Sequence, residues 1–258
     1  MLKRHSILWF AVITVALSFA SYFLPLPVEQ RSLLVPVLMV FIPTIVSIPL
    51  ALVTEGRDGI RQILSTASLR HAGIQWLLIG VGVGAMVRVV AWAIAVLLRM
   101  PVKVDLSDPT AWFLLLATIP LALFEEIGWR IYALDRVLKT RSPLEASLLI
   151  GLPWGFLHLT ILLPGMLSVG TPPIAQVGSV LLISIILTWA YVRSGHSLWT
   201  VTFLHGVQNG LVVLNRGLSI VPASWLLFAS CFIIAVILLI LDRRTFFAKP
   251  SASLQERR

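Results

Sequence analysis

A chain of 258 residues that is 58% hydrophobic and 12% charged, with mean hydropathy +0.96, has too little polar surface to cover a water-soluble globule. The expected fold is all-α, a polytopic membrane helical bundle forming one domain over residues 1–258. Its net charge of +9 reads as membrane topology and argues against nucleic-acid binding, and its single cysteine, Cys231, excludes an intramolecular disulfide and reads as packing.

A membrane-crossing helix needs about 20 apolar residues. Apolar runs near 6–25, 32–53, 73–98, 110–134, 144–163, 175–192, 198–215 and 221–241 predict about eight spans, or seven if the Gly- and Pro-rich stretch around 164–180 re-enters. The first run follows Lys3 and Arg4 and reads as a retained span, although Ser18-Phe19-Ala20 resembles a leader cleavage site. Residues 55–72 interrupt the pattern with Ile60, Ile63, Leu64 and Ala67 at helical spacing among Arg57, Arg61 and Arg70, which predicts a helix lying on the membrane surface.

Lys and Arg collect on the cytoplasmic side of a membrane. Eight spans with both termini cytoplasmic place most of the 20 basic residues on that side and leave Arg31, Arg99, Lys103 and Arg216 opposite, with Arg88 inside a span. Arg88 needs a partner, and Glu126 is the expected one, with a substrate carboxylate as the alternative. Residues 242–258 read as a disordered basic tail.

Three polar clusters interrupt the apolar runs. A charge there costs about 2.5–3.5 kcal/mol on insertion scales, so it persists mainly where it is paired or functional. Glu126 and Arg130 stand four apart and differ by about 40° on a helix, which predicts an ion pair, while Glu125 lies about 140° from Arg130 and is left as the freer acid. Ser142, Pro143 and Glu145 form a capping-box start, so the fourth and fifth helices make a hairpin that turns near 139–142. Residues 125 and 158 are equidistant from that turn, which sets Glu125 and His158 at similar depth; Trp154, one turn earlier, reads as packing. His205 and Asn209, also four apart, project together and serve equally well as interhelical glue or as a site, and Gln208 reads as glue. An acid, two imidazoles and a carboxamide are parts that can activate water and stabilise an oxyanion, so hydrolysis of an amide or ester inside the membrane is the reaction class they suggest.

The strings Glu-Glu-Ile-Gly-Trp-Arg at 125–130, Trp-Gly-Phe-Leu-His at 154–158 and His-Gly-Val-Gln-Asn at 205–209 resemble the CPBP intramembrane protease family. That family includes type II CAAX prenyl endopeptidases and Abi bacteriocin-immunity proteins, and its pattern is E-E-x-x-x-R, F-x-x-x-H and H-x-x-x-N on successive membrane helices. The match covers about 110–215, read as the catalytic core. Trp154 replaces the usual Phe, and Ile131 stands where the family often has Gly. The resemblance implies that Glu125 is the water-activating acid with His158 as partner, that His205 and Asn209 are oxyanion donors, and that Glu126 and Arg130 support them.

The family also carries the name metalloprotease, and Glu125, His158 and His205 would be the ligands if a zinc ion were held. A metal-free mechanism is the expectation taken here. The partners implied are the lipid bilayer and a membrane-associated protein or peptide substrate, with the plasma (inner) membrane as the expected location. No His-Glu-x-x-His, Gly-x-Ser-Gly or Gly-x-Gly-Asp string offers a competing hydrolase site. The alternative function is a non-enzymatic immunity or signalling scaffold that keeps the polar groups for packing. A proton-linked transporter is a third reading, set back by the absence of paired half-repeats.

Overall fold

Proline and hydroxyl caps set where several helices begin. In the computed structural model, which describes residues 3–66, 73–215 and 217–248, Asp108 accepts the Thr110 amide in front of Pro109, and Ser142 forms the expected capping box with Glu145. Ser197 accepts the Thr200 amide in the same way. The helices are α1 (Ser6–Tyr22), α2 (Val28–Glu55), α3 (Arg57–Thr66), α4 (Ile74–Leu97), α5 (Pro109–Glu126), α6 (Asp135–Val137), α7 (Pro143–Leu157), α8 (Pro173–Arg193), α9 (Leu198–Gly210), α10 (Ile220–Leu241) and α11 (Arg243–Phe246).

The protein is a polytopic helical bundle, as its composition requires. Among the described residues, six helical stretches are long and apolar enough to cross a membrane: Val28–Glu55, Ile74–Leu97, Pro109–Val137, Pro143–Leu162, Pro173–Arg193 and Ile220–Leu241. The other two predicted spans are helical but shorter, at Ser6–Tyr22 and Leu198–Leu214. Among the described residues there is no strand, only an isolated antiparallel bridge between Val104 and Asn215.

Two features depart from the sequence reading, the π stretch and the start of the tail, while the surface helix is found where it was expected. The 110–134 span is not uniformly α-helical: Ile127–Leu134 is a π-helical stretch directly after the two acids. Pro43, one of three prolines within α2, packs against Gly128 there, and the Thr44 hydroxyl donates to the Phe124 carbonyl at the junction. The surface segment is helical over Arg57–Thr66, and its remainder at 67–72, with Arg70, lies outside the described residues, as does Arg216. The stretch read as a tail begins with structure: Arg243–Phe246 is a short helix, Phe246 is fully buried, and Asp242 accepts the Trp189 indole at 3.0 Å and pairs with Arg193 at 3.2 Å. Residues 249–258 lie outside the described part.

Helix α9 sits between α4 and α5, and glycines allow the close approach. A Cβ at Gly80 or Gly84 of α4 would collide with the carbonyl oxygen of Thr200 or Leu204 of α9, and one at Gly206 would press on Ile119 of α5. Paired small residues four apart let membrane helices pack backbone to backbone. On the α5 side, the Thr118 hydroxyl lies 2.7 Å from the Gly206 carbonyl oxygen. Phe10 of α1 is fully buried, with ring centroids 5.1 Å from Trp129 and 5.2 Å from Tyr132 of the π stretch.

Candidate active site

The end of α5, the end of α7 and the last two turns of α9 converge on one polar cluster. Glu126 and Arg130 form the expected ion pair: Arg130 Nε donates to Glu126 Oε2 at 2.6 Å, and both side chains are fully buried. The pair is tied across elements, since Arg130 Nη1 reaches Ser184 Oγ on α8 at 3.4 Å and Ser184 donates to the Ser147 carbonyl on α7 at 2.9 Å, while Arg130 Nη2 has no hydrogen-bond partner among the described residues. A buried ion pair of this kind survives only when further hydrogen bonds satisfy the remaining lone pairs and protons.

The other oxygen of Glu126 holds His205. Glu126 Oε1 lies 2.8 Å from His205 Nδ1, and an ionised carboxylate only accepts, so Nδ1 carries the hydrogen. Asn209 Nδ2 then donates to His205 Nε2 at 2.9 Å. An amide nitrogen has two hydrogens, which leaves the second free, and Asn209 is exposed on the cavity wall. Ser184, Arg130, Glu126, His205 and Asn209 thus form a continuous chain that fixes the carboxamide.

Glu125 has a different neighbour. Its Oε1 accepts the Trp154 indole N–H at 2.6 Å, and its Oε2 stands 3.9 Å from His205 Nε2. Trp154 is therefore more than packing: besides holding Glu125, it lies edge-on to His205 at 5.3 Å and to His158 at 5.8 Å, and Arg130 stacks on it at 4.9 Å. His158 Nδ1 lies 2.8 Å from the Trp154 carbonyl oxygen, which only accepts, so Nδ1 is protonated, and in the neutral imidazole Nε2 carries the lone pair. Glu125 and His158 are connected through this one tryptophan.

A cavity of about 300 Å³ opens beside the cluster. Trp154, His158, His205 and Asn209 line it, together with apolar groups such as Val180 and Leu227. Glu125 is not among the lining residues and sits behind Trp154 and His205 with 5% exposure. Two further residues on the wall are Arg88 and Cys231, so the cysteine faces a hollow instead of only filling a core. Arg88 does not pair with Glu126 as expected, because Glu126 is fully taken by Arg130 and His205; Arg88 Nε instead donates to the Gln208 carbonyl at 2.6 Å.

The residues do not fit the three-ligand zinc set. Among the described residues no three His, Cys, Asp or Glu side chains group closely enough to hold a metal ion. Both nitrogens of His205 and one of His158 already have hydrogen-bond partners.

Sequence reasoning missed the indole donor to Glu125, the Ser184 prop and the Arg88–Gln208 bond. Only the last left a trace, the spacing of four in Gly80, Gly84 and Arg88.

Comparison with known proteins covers the same region. Residues 107–211 match the family model described as type II CAAX prenyl endopeptidase, Rce1-like. The chain is 27% identical over 151 residues to a protein named CAAX prenyl protease 2 from Methanococcus maripaludis, an alignment covering 55% of this chain and 52% of that protein. The chain therefore spans about half the length of the curated relative it matches. Glu125, Glu126, Arg130, Trp154, His158, His205 and Asn209 all lie inside the matched segment and Arg88 lies outside it. With its three motifs brought together beside one cavity, the chain is similar over residues 107–211 to the Rce1-like type II CAAX prenyl endopeptidases.

Proposed function

We propose that this protein is an intramembrane endopeptidase that hydrolyses a peptide bond of a membrane-associated protein or peptide. The observation that carries the reading is the gathering of Glu125, His158, His205 and Asn209 from three helices beside one cavity.

In this mechanism a water in the cavity donates one hydrogen to His158 Nε2 and is deprotonated by Glu125, whose Oε2 is not used by Trp154. The hydroxide formed attacks the scissile carbonyl carbon. The free Asn209 N–H donates to the oxyanion, and His205, fixed by Glu126, holds the amide for it. Collapse of the tetrahedral intermediate breaks the C–N bond, and Glu125 returns the proton to the leaving amine. The acid starts behind the cavity wall, so substrate binding must bring water within its reach. No step uses a metal ion.

Prenylated peptides are the first substrates to try, since the family and the relative carry that chemistry in their names. Purified protein in lipid nanodiscs should cleave a peptide that carries a farnesylated cysteine followed by three apolar residues, with products identified by mass spectrometry. Glu125→Gln should lower turnover by about 10²–10⁴-fold while the variant keeps its thermal stability. Chelators should leave the rate unchanged. Undiminished cleavage by Glu125→Gln would remove that residue from the chemistry, and a wild type inert toward every peptide tried would favour the scaffold reading.

A further inference from the structure

Arg130 and Arg88 both lie within membrane-length helical stretches, and they are treated differently. Arg130 is fully buried and paired with Glu126. Arg88, in the middle of α4, is half-buried on the cavity wall, and among the described residues no carboxylate pairs with it. Its one hydrogen bond there, Nε to the Gln208 carbonyl at 2.6 Å, satisfies one of five N–H groups and none of the charge. The neighbouring Cys231 is an uncharged thiol. A cation kept in a membrane helix without a counter-ion is costly, and such residues mark substrate or ion pathways.

The placement of Arg88 is built into the packing. Gly80 lies against Thr200, Gly84 against Leu204 and Arg88 against Gln208, three successive turns of α4 matched to three turns of a parallel α9. The two glycines bring the backbones together, so the guanidinium reaches the carbonyl of the residue next to Asn209. With Nε committed, the Nη groups present a fork suited to a carboxylate. The hollow is at the small end for ligand pockets, with walls such as Ile183, Val212 and Leu227, so it suits a short apolar peptide end.

We propose that Arg88 is the carboxylate-binding residue of the cavity and takes the terminal carboxylate of the bound peptide. The assignment makes Arg88 a specificity-determining residue for the peptides proposed above as substrates, outside the segment that the family model matches. This assignment rests on the protease reading for its meaning, and its test is independent of turnover.

The probe is the farnesylated peptide described above, fluorescently labelled and made both as free acid and as C-terminal carboxamide. Binding is followed by anisotropy on the Glu125→Gln protein in nanodiscs, alone and combined with Arg88→Gln or Arg88→Lys. The acid should bind about ten- to a hundredfold more tightly than the amide, as expected for charge-assisted hydrogen bonds. Arg88→Gln should lower acid affinity to that of the amide, whose own affinity stays within about twofold, and Arg88→Lys should restore part of the preference. Equal affinity for acid and amide on the Arg88-containing protein would overturn the proposal, whatever the cleavage assay shows. Loss of both affinities together in Arg88→Gln would assign Arg88 to packing and also overturn it. An acid preference in a protein that never cleaves would remove the protease reading and leave this assignment standing.

Discussion

At the scale of single residues, Trp154 joins groups that chemistry must keep apart. Its indole N–H fixes one oxygen of Glu125, its ring carries Arg130, and its backbone carbonyl sets the tautomer of His158. Replacing it with Phe keeps an aromatic ring beside Arg130 and His205 but strips the donor from a carboxylate that is only 5% exposed. Leaving such an acceptor unsatisfied costs about 1–3 kcal/mol. If the cost falls on the transition state, Trp154→Phe lowers kcat by about five- to a hundredfold with KM changed little; if it falls on the fold, the unfolding temperature drops instead. The proposed role of the indole in orienting Glu125 predicts the first, read from steady-state kinetics beside thermal melts of the same preparation. An unchanged kcat would return Trp154 to packing, the role its position in an apolar run first suggested.

At the scale of elements, α9 carries His205 and Asn209, and glycine decides how close its neighbours come. Gly84→Ala sets a methyl against the Leu204 carbonyl, a backbone atom that cannot swing aside, so α4 must move away. Overpacking of this kind costs about 1–3 kcal/mol. Because Arg88 sits one turn beyond, the same change should weaken binding of the free-acid peptide, whereas Gly82→Ala, which meets open space, should alter neither stability nor binding. The helices themselves were legible because runs of about 20 apolar residues have few other readings, and the three clusters because charge is rare within them. The π stretch was hidden: Glu126 and Arg130 keep a spacing of four that is equally satisfied by an ordinary α-helix, and the packing of Pro43 against Gly128 comes from a helix remote in sequence. The wrong partner for Arg88 has a related cause. Sequence exposes side-chain acids as candidate counter-ions, but the carbonyl it binds belongs to every residue alike.

At the scale of the whole molecule, the helix bearing the two acids and the one bearing His205 must keep their relative depth, and one tie between them lies outside the site. His196, in the turn between α8 and α9, places Nδ1 2.8 Å from Asp135 Oδ1 in α6, just beyond the π stretch. Its φ of 68° is one that few non-glycine residues adopt, so the turn holds the imidazole against local preference. Burial alone would lower the His196 pKa, but the hydrogen bond and charge of Asp135 outweigh it and leave the imidazole pKa raised above the ordinary value of about 6.5. A folded-state pKa above the unfolded one means that the native protein holds this proton more tightly. The stabilisation is therefore complete below about pH 6.5 and is lost as pH rises through the raised value. His196→Asn tests this, since Asn tolerates positive φ and does not titrate. Wild type should melt above the variant at pH 5.5, and the gap should narrow by pH 8.5, measured in one detergent at constant ionic strength. A gap that stays constant across that range would mean that His196 ties the two helices by hydrogen bonding and shape alone, with no contribution from its charge.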